Sequence, residues 1–115
     1  MGMFDREPNF GEAFSVGARF IITAAEYVGK ISTREGPAEK SSFTIITRSD
    51  RQPTRYSVLG VGFANQAKRS EPDDFPAVVE YVTEATGQGD NRVKLLAPVM
   101  VSPDEFLNGN DGPDS

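Results

Sequence analysis

GFANQAKRS, residues 62–70, is a stretch with helical spacing in a chain that otherwise alternates. Phe63 and Ala67 stand one helical turn apart, and Lys68 and Arg69 suit the negative end of a short helix dipole. Working outward, three strand-like runs precede it at 14–31, 42–48 and 54–59. Two follow, at 75–85 and 92–97. The residues of each run divide between two faces with the period of two of a strand. The order is β-β-β-α-β-β. It predicts an all-β fold with one short helix, a five-stranded Greek-key barrel whose helix plugs the gap between strands three and four.

The connections follow from turn chemistry. Residues 32–42, STREGPAEKSS, read as a polar loop centred on Gly36-Pro37. Residues 49–53 and 71–74 read as turns, and 87–91, GQGDN, as a hairpin loop. The first strand is long enough to need a bend, and Gly29 is the candidate hinge. Residues 1–13, with Pro8, Asn9 and Gly11, read as an arm; 14–101 form the barrel domain. Residues 102–115, SPDEFLNGNDGPDS, read as a flexible acidic tail whose large apolar residues are Phe106 and Leu107.

The chain has 115 residues and no cysteine or histidine. Disulfides, zinc sites built on those ligands and Ser-His-Asp or Cys-His catalysis are therefore excluded. Asp73-Asp74, beside Pro72, reads as a solvated turn. Gly60 and Gly62 lack the third glycine of a dinucleotide loop, because Asn65 stands in its place. The expectation is a non-enzymatic protein with no metal and no cofactor. The start shows no secretory signal, and Arg6 breaks a myristoylation pattern, so the cytoplasm is the expected compartment.

Net charge is −5, unevenly distributed. Residues 30–69 hold eight bases against three acids, a net +5, while the flanks are acidic. A single strand of nucleic acid needs cations along a groove and flat side chains for its bases. Lys30, Arg34, Lys40, Arg48, Arg51 and Arg55 are the candidate phosphate contacts. Phe43 and Tyr56, on adjacent strands, are the candidate stacking surfaces. Each also has an apolar residue at i+2, Ile45 and Val58, so each stands between a core and a stacking role.

The strand order, with MGMFD at the start, EYVGKISTREGP leading into SFTIITR, and YSVLGVGFANQAKR at the helix, resembles small OB-fold single-strand-binding proteins of phage or actinobacterial type. The resemblance spans residues 14–97. It implies binding of single-stranded DNA without catalysis through strands two and three and the loop after strand one. It further implies oligomers, a host-cell cytoplasmic setting, and replication or repair partners docked by the tail through Phe106 and Leu107. The competing expectation is a phage structural or adaptor protein that uses its two termini for assembly.

Overall fold

The computed structural model describes residues 7–85 and 92–112. Its elements are α1 (Phe10–Ala13), β1 (Arg19–Thr33), β2 (Gly36–Ile46), β3 (Thr54–Leu59), α2 (Val61–Arg69), β4 (Ala77–Ala85), β5 (Arg92–Pro98) and α3 (Pro103–Leu107), with a 3-10 turn at Pro72–Asp74. The strands form one antiparallel sheet in the order β3-β2-β1-β4-β5. The expected order of strands and the expected helix are both present. The hairpin loop expected at 87–91 lies outside the described residues.

The sheet is open, whereas the sequence predicted a closed barrel. Closure would pair the outer edges of β3 and β5, and both are taken by other groups. On β3, the Ser57 N–H donates to the Pro8 carbonyl at 2.9 Å, and Asn9 bridges Ser57 in parallel. On β5, the Gln66 side chain acts as a one-residue strand: the Leu96 N–H donates to Gln66 Oε1 at 2.9 Å, and Gln66 Nε2 donates to the Leu96 carbonyl at 2.7 Å. Edge groups that stay unpaired invite association, and here the arm and α2 occupy them.

α2 reaches that edge because residue 62 is glycine. A Cβ there would stand 2.4 Å from the Lys94 carbonyl oxygen and 2.6 Å from Val93 Cγ2. The Gly60-Val61-Gly62 segment is thus a packing device. Gly62→Ala would gain about 1 kcal/mol of helix propensity but force an overlap with backbone, which costs about 1–3 kcal/mol. The expected net effect is a destabilisation of up to about 2 kcal/mol in urea unfolding. A raised midpoint would contradict this packing.

The inner face of the sheet carries the main core. Phe20, Ile22, Phe43, Ile45, Val58, Val79, Tyr81 and Leu96 pack there with Phe63 and Ala67 of α2. Phe10 sits among them at 1% exposure, its ring 5.1–6.2 Å from those of Phe14, Phe20, Phe43, Phe63 and Tyr81. Residues 8–13 of the arm are therefore an integral part of the fold, packed into the core through Phe10. Asn9 begins α1 by accepting the Glu12 N–H at its side-chain oxygen.

The outer face carries a second, smaller cluster of Ile21, Val78 and Phe106, with Ile46, Val99, Val101 and Leu107 against it. Here too the structure corrects the sequence, which read 102–115 as a flexible tail. Through residue 112 the segment is placed on the sheet, and Phe106 is 2% exposed. Ser102 caps α3 by accepting the Glu105 N–H, with Pro103 in its first turn.

The predicted loop at 32–42 is mostly strand. Arg34 and Glu35 form a tight turn, Gly36 adopts φ +111°, and β2 begins there. Thr33 locks the turn: its hydroxyl donates to the Gly36 carbonyl at 2.7 Å and accepts the Glu35 N–H. Beyond the reach of β3 and β4, β1 and β2 continue as a two-stranded ribbon with Lys30 opposite Glu39 and Ile31 opposite Ala38. β1 bends where expected, with a register shift between Tyr27 and Gly29 and φ +143° at Gly29.

Candidate nucleic-acid interface

Pairing of β2 with β3 is continuous from Lys40–Leu59 to Ile45–Thr54, so the two faces can be read without ambiguity. Ser41, Phe43 and Ile45 face inward with Val58 and Tyr56. Lys40, Ser42 and Thr44 face outward with Leu59, Ser57 and Arg55. This parity corrects the stacking prediction. Phe43 is 1% exposed, with its ring edge-on to Phe63 at 5.7 Å. Tyr56 is half-buried on the same inner face and meets Phe14 at 5.1 Å. Neither ring lies on the outer face.

The outer face instead carries a row of cations. Lys40 and the Thr44–Arg55 pair lie four residues apart along β2, about 13 Å at strand spacing, and Arg48 stands in the turn beyond the end of the strand. Beyond Lys40 the ribbon carries Arg34 at its turn, while Lys30, paired with Glu39, lies on the opposite face from Lys40. Lys30, Arg34, Lys40 and Lys94 have no side-chain hydrogen bond or ion pair among the described residues, and three of the four lie on the β1–β2 hairpin.

The other predicted cations are engaged. Arg55 is clamped between two carboxylates, with Nε 2.7 Å from Glu7 and a terminal nitrogen 2.8 Å from Glu26. The Ser42 hydroxyl donates to the same Glu7 carboxylate at 3.2 Å. Arg48 lies 4.0 Å above the Phe106 ring, donates to the Phe106 carbonyl and pairs with Asp111. Arg51, at φ +61°, donates to the Leu107 carbonyl at 2.8 Å. Arg48 and Arg51 thereby satisfy carbonyls at the end of α3, where a helix presents its negative dipole. Arg19 donates to Glu80 and to the Asp111 carbonyl. Phe106 and Leu107, predicted to bind a partner, are bound to their own sheet.

At the base of the ribbon, Tyr27 donates to Glu39 at 2.8 Å, and Lys68 of α2 stands 4.3 Å over the Tyr27 ring and 3.7 Å from Glu39. The hydrogen bond to Glu39 holds the Tyr27 phenol above its ordinary pKa. This cluster ties the helix to the ribbon and so sets the ribbon's direction. Asp74 accepts the Glu71 N–H at 2.8 Å, which closes the 3-10 turn.

No protein-family model, curated protein or solved structure matches this chain. The functional reading therefore rests on the geometry above. Among the described residues no helix is long and apolar enough to cross a membrane, and no group of three or more acidic side chains is placed to hold a metal ion.

Sequence reasoning missed Glu7, which Arg55 and Ser42 share, and missed α3 as a folded element. Two signals for the terminal helices were present. Asn9-x-x-Glu12 and Ser102-Pro103-Asp104-Glu105 both have a capping residue three positions before an acid, the second with proline at the first helical position.

Proposed function

We propose that the protein binds single-stranded nucleic acid, DNA in the first instance, without catalysis. The contact surface is the outer face of β2 and β3 together with the projecting β1–β2 ribbon. One observation carries the reading: beyond Arg55, the outer-face Lys40 and the ribbon's Arg34 and Lys30, the last on the opposite face, have no competing carboxylate bonded to them. The strand neighbours favour an OB-type interpretation. An OB barrel pairs β1 with β2 and β4, β2 with β3, and β4 with β5, as here, and differs by the β3–β5 seam that the arm and α2 fill. In this reading phosphate contacts supply the affinity and base stacking contributes little, because Phe43 and Tyr56 face inward. A role in replication or repair is the setting that such an activity fits.

The test is a titration of labelled oligo-dT at several salt concentrations. Wild type should bind at low salt, with log affinity falling as log salt rises, by about 0.7 per phosphate neutralised. The variant Lys30→Glu/Arg34→Glu/Lys40→Glu changes exposed or half-buried side chains and leaves the core untouched. It should lose about 2 units of that slope and most of its low-salt affinity. No binding by wild type at low salt, or an unaffected triple variant, sinks the proposal.

A second reading, an assembly or adaptor protein, is favoured by Val28, Ile31, Leu59 and Val61, exposed at 36–59% around the ribbon and its base. Residues 8–13 and 102–112 fold onto their own sheet, so among the described residues this exposed apolar set is the surface that supports it. Sedimentation of the same sample separates the two: self-association without oligonucleotide binding selects the second.

A further inference from the structure

We infer that Arg55 and Ser42 form a phosphate-binding site that the chain's own Glu7 occupies, so that the arm masks the middle of the cation row. The inference rests on the nucleic-acid reading for its physiological ligand. Its geometry stands on the contacts alone. The two oxygens of the Glu7 carboxylate are divided between two donors: Oε2 faces Arg55 Nε at 2.7 Å and Oε1 accepts from the Ser42 hydroxyl at 3.2 Å. A planar guanidinium and a hydroxyl converging on one oxyanion are the donor set that also recognises a phosphate. Ser42 is 4% exposed, so its donor is fixed by the sheet, between Glu26 on β1 and Ser57 on β3.

The mask is built to release. Glu7 precedes the first anchored group of the arm, the Pro8 carbonyl held by the Ser57 N–H, and Phe10 locks the chain beyond it in the core. The carboxylate can therefore swing away while the fold stays closed. Arg55 is half-exposed, and Glu26, its second partner, is 62% exposed and free to turn toward solvent. Surface pairs of this kind are weak, and a polyanion presenting several phosphates at once competes with them on favourable terms.

Glu7→Gln keeps the shape of the side chain and the anchors around it. Oligo-dT affinity at low salt should rise about three- to fivefold over wild type, the range expected for loss of one exposed ion pair. The gain should vanish in Glu7→Gln/Arg55→Gln. Glu84→Gln removes the same charge from an exposed position on β4 and should gain clearly less. If wild type binds and Glu7→Gln binds no tighter, the mask is wrong while the proposed function stands. A gain that survives loss of Arg55, or is matched by Glu84→Gln, also overturns it, because a general charge effect would then suffice. Absence of binding by both wild type and Glu7→Gln overturns the mask together with the reading beneath it.

Discussion

Phe10→Ala is expected to cost about 3–5 kcal/mol of folding stability, the range for removing a fully buried aromatic ring. A domain of this size has roughly 6–17 kcal/mol in all, so the loss is a large share of the total. The reason is position. Phe10 is the hub on which four other phenylalanines and Tyr81 converge, and its removal leaves a cavity walled by rings from β1, β2, β4 and α2. An arm resting on the surface would lose less than about 0.5 kcal/mol from the same change. Urea unfolding followed by circular dichroism decides between them. A midpoint within error of wild type would mean that residues 8–13 are not part of the core.

The second large effect is at the other terminus. Phe106→Ala should cost about 3 kcal/mol, at the low end of that range because the cavity lies near the chain end and can collapse in part. The variant also removes the ring under Arg48. α3 should then lose its place on Ile21 and Val78, and the Asn108 N–H, bonded to Asp104 and Glu105, should exchange with solvent much faster. If stability and exchange at residues 103–108 stay as in wild type, the tail is the detachable segment its composition suggests.

These two cases show where the sequence was readable. Alternation located all five strands and the spacing of Phe63 and Ala67 located α2, because each is a periodic segment whose pattern follows directly from its own geometry. The faces were not readable: Phe43 and Tyr56 each have an apolar residue two positions on, which fits a core role and a stacking role alike, and the packing of the fold decides for the core. What composition hid was the burial of single residues in polar surroundings. Phe10 and Phe106 lie among Gly, Pro, Asn and acids, where no periodicity exists, and only the tertiary fold supplies a partner for each. The ribbon was hidden for a related reason. Residues 32–38 are polar because both of their faces meet water, and strand pairing there depends on the Thr33 and Gly36 turn more than on burial. The closed barrel failed because edge pairing is decided by whichever group arrives at the edge, and here Pro8, Asn9 and Gln66 do.

The candidate site was half legible. Charge clustering found the cations, but not their partners, since Glu7 and Asp111 reach Arg55 and Arg48 from the two ends of the chain.

The central claim is that nucleic acid lies on the outer face of β2 and β3 and along the ribbon. Backbone amide chemical-shift mapping with unlabelled oligo-dT at low salt tests it most directly. The account predicts perturbations at Lys40, Ser42, Arg55 and Ser57 and along residues 30–38, with the inner-face residues Ile45, Val79 and Leu96 unmoved. Shifts confined to the inner face or to β4 and β5, or no shifts at all, would contradict it.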